Sequence, residues 1–474
     1  MVFKDLLRHS AVYTLTGFLS RGVSLIIFPL VVRSVSKEDF AVYDYTLVIN
    51  TILLIVLPLE ITQGLARYFN ECETKVEQDR LCATVTNFTL LVHIPLVLVT
   101  LLFSKSISIF LYESDTYQWL IVYALLFSIS YNLAHTFRSE YKWRLKPWVN
   151  TVLTLLSSGT ILVLITLFWY KSWLDLKSVF LIMIVANSLS VIGGFYVSKN
   201  SYSLSLNIKE LKHLLRFSIP LVPSSLGVIF AMYIDRLMVK ELLSLSELAE
   251  YGIGFRIASI AALGFIGIQG ALSPLIYKHY REAETPKKLG DLFTAFFIAI
   301  FTLLVGAQIF LEDIVVLLAT DAYRDSWRIS SLLIFATVLW QLYIFFPGLS
   351  IEKKTKTIGL LNIIFAFVNL MLNYFLIKPF GLIGAGLATL ISSSLFMITY
   401  AVVSQKHYPI IVNKKVVIGF GVAVVTGLGL VYGDTWSELQ LFGHIAFKMG
   451  VFILLALVSW QLIRKRLSFK LSLK

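Results

Sequence analysis

Apolar stretches of about twenty residues recur from one end of this chain to the other. That recurrence limits the fold more than any motif does. The hydrocarbon core of a bilayer is about 30 Å thick and takes about 20 residues to cross as a helix. Backbone groups cannot be left unpaired there, so a spanning segment must be a helix or part of a closed barrel. The stretches here are continuous runs without strict alternation, which predicts helices. Fourteen spans follow, over residues 10–33, 40–66, 82–103, 117–138, 148–170, 179–198, 216–235, 251–275, 290–310, 328–350, 357–377, 381–403, 415–432 and 443–463. Only 15% of residues are charged, against about 25% in soluble domains. The fold class expected is therefore an all-α polytopic membrane protein. Its first span follows Lys4 and Arg8 and lacks a small-x-small cleavage site, so it reads as a retained helix.

Loop charge sets the orientation. Of 41 Lys and Arg, 28 fall on the segments that share a side with the N-terminus, 10 on the opposite loops, and Arg21, Arg256 and Lys448 within or at the ends of spans. The positive-inside rule then places both termini in the cytoplasm. It also accounts for the formal charge of +13 by contact with anionic membrane lipids rather than nucleic acid. Every loop is short. The longest, residues 199–215, contains IKELKHLLRF, which reads as an amphipathic helix on the membrane surface, linking two bundles.

The chain also echoes itself about 210 residues on. Leu6-Leu7-Arg8-His9-Ser10 returns as Leu214-Leu215-Arg216-Phe217-Ser218, and SVSKEDFAVYDY (34–45) as SLSELAEYGIGF (244–255). Six spans separate the two starts, so the halves are parallel repeats, a plan that in transporters places the site between them. The expected organisation is an N-terminal six-helix lobe (1–205), a C-terminal six-helix lobe (206–405), and two peripheral helices with a basic cytoplasmic tail (406–474).

Charges inside spans are costly and mark function or pairing. Arg21 sits mid-span and shares a helical face with Thr14, Gly17, Ser24 and Phe28. Either it lines a cavity or it pairs with an acid. Arg256 lies near the outer end of the eighth span, on a face with Gly252 and Ser259. Further candidates for a cavity or gate are Asp44, Glu60 and Arg67 on or beside the second span, Asp235 and Arg236 at the end of the seventh, and Gln269 on the eighth. Pro58, Pro220 and Pro223 are candidate hinges, because proline removes an amide donor from the helix. Tyr131, Asn132, His135 and Arg138 make the cytoplasmic half of the fourth span polar, and His93 reads as a packed or hydrogen-bonded histidine. Gly-rich GFIGIQG (264–270) and GLIGAGLA (381–388) suit close helix contact.

No P-loop, HExxH, CxxC or nucleophile elbow is present, and the two cysteines, Cys72 and Cys82, flank a charged loop without a metal-ligand pattern. The expectation is a gated path, with no enzyme activity, no metal and no cofactor.

The opening LLRHSAVYTLTGFLSRGVSLIIFPLVVRSVSKEDFAVYDY, the second-half LLRFSIPLVPSSLG with YIDRLMV, and NYFLIKPFGLIGAGLATLIS (373–392) together resemble the polysaccharide transporter, or oligosaccharide flippase, branch of the multidrug/oligosaccharidyl-lipid/polysaccharide exporter superfamily. Ala41 stands where relatives often have glycine. The resemblance implies two six-helix lobes in the bacterial plasma membrane. It implies a monomer that moves an undecaprenyl-pyrophosphate-linked glycan from the inner to the outer leaflet by alternating access, beside a polysaccharide polymerase or other assembly proteins. It also implies that cavity arginines, here Arg21 and Arg256 by position, hold the pyrophosphate, and that the last two spans form a groove for the lipid tail. A proton or sodium gradient is a candidate energy source. The competing readings are an ion-coupled multidrug antiporter of the same superfamily, with Glu60 or Asp235 as coupling acid, and a peptidoglycan-precursor flippase.

Overall fold

The computed structural model describes residues 2–199, 202–203, 206–422, 449–450 and 452–461. Every regular element among them is helical. Eleven helical stretches are long and apolar enough to cross a bilayer, which makes the chain a multi-pass membrane protein. The thirteenth expected span, the start of the fourteenth and the basic tail fall largely outside the described residues, so the count of fourteen is not established.

The first half runs α1 (Val2–Ser34), α2 (Lys37–Val56), α3 (Ile61–Tyr68), α4 (Lys75–Leu91), α5 (His93–Tyr112), α6 (Gln118–Trp143), α7 (Pro147–Tyr170) and α8 (Leu176–Ser198). A short helix, α9 (Ile208–Ser218), precedes α10 (Val222–Leu242) and α11 (Leu245–His279). Then come α12 (Thr285–Ile309), α13 (Leu311–Leu318), α14 (Ser326–Gln341), α15 (Gly348–Ile351) and α16 (Thr355–Gln405). At about 1.5 Å per residue, α16 is more than twice the thickness of a bilayer core. It is two spans in line, parted at Gly381, whose φ of 55° and ψ of −138° suit only glycine. The gap expected between the spans 357–377 and 381–403 is thus a single-residue break.

Packing divides the described chain into two units, residues 1–240 with 244–249, and residues 241–243 with 250–474. Contacts in the two units echo one another. Phe137 fills the space beside Gly194, and Tyr343 packs on Tyr400, each 206 residues further on. Ser157 faces Asn187 between α7 and α8, and Asn369 donates to Ser392 between the two spans of α16. Of the glycine-rich stretches, the second packs closely, with Gly386 against Ile329 and Leu332 of α14, whereas Gly264 of the first faces open space.

Two expectations need correction. The second span is not continuous over 40–66. It stops at Val56, and Leu57–Glu60 form a turn in which Leu59 (φ 50°) and Glu60 (φ 54°) are both left-handed. Pro58 has no amide hydrogen to continue the helix, so the chain breaks there and restarts as α3. The linker helix α9 also does not rest its apolar side on lipid. Leu214 is fully buried in a cluster with Ile61, Leu65, Phe69, Leu81 and Val85, at the end of the bundle that bears the basic loops. Gly64 lets the two helices approach, since a Cβ there would stand 3.1 Å from the Leu214 side chain. Glu210 then pairs with Arg80 (2.6 Å) and accepts from Thr84 (3.3 Å), while Lys209, Lys212 and Arg216 stay exposed.

Candidate functional site

The polar groups inside the spans fall into two sets. One is a chain of ion pairs and hydrogen bonds at the far end of the first unit, opposite the basic loops. The other is Arg21, exposed in the middle of α1, which meets no acid among the described residues.

The far-end set begins with α2. Ser36 caps this helix by accepting from the Asp39 amide (3.0 Å), which fixes where it starts. Asp44 lies seven residues on, about 10 Å along the axis, and is 1% exposed. Arg236 of α10 meets it at 3.4 Å. One turn further along α10, Lys240 pairs with Glu113 at 3.1 Å, in the turn after α5. Tyr112 and Thr46 share a 2.7 Å hydrogen bond. The Thr46 hydroxyl already donates to the Val42 carbonyl (2.6 Å), so Tyr112 is the donor. Tyr117 donates to Asp39 at 3.1 Å. Partial burial and that carboxylate push its hydroxyl up to about 12, so it remains a donor at neutral pH.

The repeat assigns α10 to the second half of the chain, and its charges are neutralised by acids of the first half. Asp44 and Arg236, both expected as gate residues, are thus brought together. Arg236 is not at a helix end as expected, because α10 continues to Leu242. Asp235 is buried beside it.

Arg21 behaves otherwise. Its helix leans on α7, where the hydroxyls of Thr16 and Thr151 lie 2.7 Å apart. Arg21 itself is exposed, as are Gly17 and Ser24, and a Cβ added at Gly17 or Gly22 would meet nothing within 4 Å. Phe28, higher on the expected face, is buried against Phe40. The Thr14 side chain lies outside the described residues. Among those residues no acid meets Arg21, so the helix-locking alternative has no partner to rest on. An exposed guanidinium in an apolar helix is able to bind an anion, and it is costly against lipid.

The other candidates are placed as follows. Arg256 is half-buried on α11 in the second unit, where Ser259 donates to its carbonyl oxygen (2.6 Å). Gln269 is exposed on the same helix. Glu60 caps α3 in the left-handed turn, and its side chain has no hydrogen bond or ion pair among the described residues. Arg67 sits on α3, half exposed, paired with Glu71 one turn on. It is held locally and is not joined to Asp44 or Arg21. Pro58 lies in the turn after α2, Pro220 in a tight turn after α9, and Pro223 in the first turn of α10. His93 is buried as expected. Its Nδ1 lies 2.6 Å from the Thr89 carbonyl, which can only accept, so Nε2 is left to accept from Asn132 at 3.2 Å. Sequence reasoning missed Lys240 and Glu113. Their signal was a charge in the loop beyond the expected third and seventh spans, which alone names no partner.

Comparison with known proteins places this geometry in a wider set. The sequence profile for polysaccharide biosynthesis proteins matches residues 6–279. A solved structure described as the lipid II flippase MurJ in an inward closed conformation aligns at a TM-score of 0.66 and 17% identity, covering 96% of this chain and 99% of that one. An inward-facing multidrug resistance transporter of the MATE family and MOP superfamily gives 0.62 at 14% identity, over 81% and 93%. An outward-facing structure of such a transporter gives 0.54 at 16% identity, over 85% and 95%. At these identities the likeness concerns the fold. A search of curated proteins gives no match.

Proposed function

The chain belongs to the polysaccharide biosynthesis protein family, and from that premise we propose that it is a flippase. It moves an undecaprenyl-pyrophosphate-linked oligosaccharide from the inner to the outer leaflet of the bacterial plasma membrane, for surface polysaccharide assembly. Both termini lie in the cytoplasm in this reading, and no covalent bond changes.

The observation that carries the reading is Arg21, an exposed guanidinium in an apolar helix with open space at Gly17 and Gly22 and, among the described residues, no acid to neutralise it. A diphosphate cannot cross hydrocarbon unaided. A guanidinium offers it paired donors in a fixed plane, and charge-assisted bonds of this kind are strong where water is scarce. The prenyl chain stays in lipid while the sugar occupies the polar side. The lobes 1–205 and 206–405 then rock to expose the head group to each leaflet in turn. The pairs Asp44–Arg236 and Glu113–Lys240 hold the far end shut in this scheme and part for release.

The test is reconstitution into liposomes with a fluorescent undecaprenyl-pyrophosphate-linked oligosaccharide, scoring loss of inner-leaflet label to an external quencher. Protein-dependent flipping is expected. Absence of flipping, together with gradient-driven efflux of organic cations by the same liposomes, overturns the reading in favour of an antiporter.

A further inference from the structure

The polar face of α6 remains without a role. Tyr131, His135, Arg138 and Lys142 stand at spacings of four, three and four residues, which puts them on one side of the helix. Tyr131 and Lys142 are exposed, and His135 and Arg138 are half-buried. The stripe contains three basic side chains and no acid.

Arg138 lies five residues before the end of α6, about 7.5 Å inside it. A lysine or arginine that is only escaping hydrocarbon turns its head group toward the nearer interface. Arg138 instead leans toward the N-terminal side of its helix, the direction in which helical side chains tilt. Its guanidinium carbon lies 5.6 Å from the centre of the Tyr131 ring, and Tyr131 is seven residues deeper in the span. The acids that could have drawn it back are taken. Arg144 holds Glu140 at 2.8 Å and Asp79 at 2.6 Å. Among the described residues neither Arg138 nor His135 meets a carboxylate.

The position relative to Arg21 follows from α7. Asn150 donates to the Arg138 carbonyl (2.7 Å), and Thr151, the next residue, meets Thr16 of α1. Arg138 and Thr16 therefore sit at one level on α7. Arg21 is five residues, about 7.5 Å, further from the basic end, and the Arg138 side chain rises in that same direction.

We propose that Tyr131, His135 and Arg138 form a subsite for the anionic head group of the transported lipid, with Arg138 and His135 donating to phosphoryl oxygens and the Tyr131 ring supporting the adjoining sugar. The inference rests on the flippase reading and deepens it. Two guanidiniums beside α7, Arg21 and Arg138, face a pyrophosphate, which has two phosphoryl groups to share between them.

The test is a binding titration with the full chain in zwitterionic nanodiscs, using four probes: undecaprenyl pyrophosphate, its oligosaccharide-linked form, phosphatidylglycerol, and inorganic pyrophosphate in solution. Arg138→Gln is expected to bind undecaprenyl pyrophosphate about tenfold more weakly than wild type, with Arg138→Lys in between. Tyr131→Leu should weaken a glycosylated lipid more than the bare pyrophosphate. Unchanged binding in Arg138→Gln, with weakened binding in Arg21→Ala, overturns the subsite and leaves the flippase reading standing. Failure of wild type to bind undecaprenyl pyrophosphate overturns both. Equal loss for phosphatidylglycerol or for free pyrophosphate also overturns the proposal, since the site would then serve any anionic lipid or a soluble anion. Melting temperatures accompany each titration. If Arg138→Gln does not fold, Arg138→Lys and Tyr131→Leu decide by the same comparison.

Discussion

Arg236 and Asp44 come from segments almost two hundred residues apart, lie 3.4 Å from each other, and are both buried. Neither charge has water to fall back on, so losing the partner leaves a buried charge without that ion pair. Truncating one member of a buried pair typically costs about 3–5 kcal/mol. Asp44→Ala and Arg236→Ala are each expected to lower the melting temperature in detergent sharply. The exchange Asp44→Arg with Arg236→Asp should recover part of the loss. A double-mutant cycle showing no coupling would mean that the pair does not hold the far end shut.

Arg21 presents the opposite case, an exposed cation that stabilises nothing visible. Arg21→Ala is expected to leave stability within about 0.5 kcal/mol of wild type, as for surface substitutions away from packed features, and to abolish flipping in liposomes. Arg21→Lys should retain part of the activity, because lysine keeps the charge and loses the planar fork. Normal flipping by the alanine variant would remove Arg21 from the site.

The turn after α2 stores strain at two residues in succession, Leu59 and Glu60. A left-handed backbone costs an L-residue about 1–2 kcal/mol and suits glycine, with β-branched residues worst placed. Leu59→Gly is therefore expected to melt no lower than wild type, and Leu59→Val lower than both. A glycine variant that melts well below wild type would show that side-chain packing outweighs the backbone at this turn.

Docking of the linker can be read locally. A valine at Gly64 would drive its Cβ toward the Leu214 side chain and carbonyl, 3.1 and 3.2 Å away. Overpacking of this kind costs about 1–3 kcal/mol. Hydrogen exchange over residues 206–218 is expected to quicken in Gly64→Val, with little change in α6 or α7.

Much of the fold was legible because each span is decided by its own residues. Hydropathy located most apolar helices, although the expected third span, 82–103, is α4 and α5 meeting at Val92, and the glycine-rich stretch from 381 read as a packing motif rather than as the break that Gly381 makes. The errors came where a segment's fate depends on what it meets. Pro58 announced a disturbance, but whether it bends a helix or ends it depends on the packing of Ile61 and Leu65 beyond the turn. The amphipathic pattern of α9 was equally readable, while its partner was not. An apolar stripe fits lipid or protein alike, and only the cluster around Leu214, with Gly64 clearing the way, selects protein. The candidate site shows the same division. Arg21, Asp44 and Arg236 stood out as charges in apolar surroundings, and nothing in their spacing told which were neutralised.

Local and additive quantities therefore mark which segments are apolar enough to cross and the positions where an intramembrane charge stands. Which cation meets an acid is a pairing across long sequence separation. It depends on distances of a few ångströms that only the packed helices define. That packing gave Arg236 a carboxylate, gave Arg144 two, and left Arg21 and Arg138 with none among the described residues.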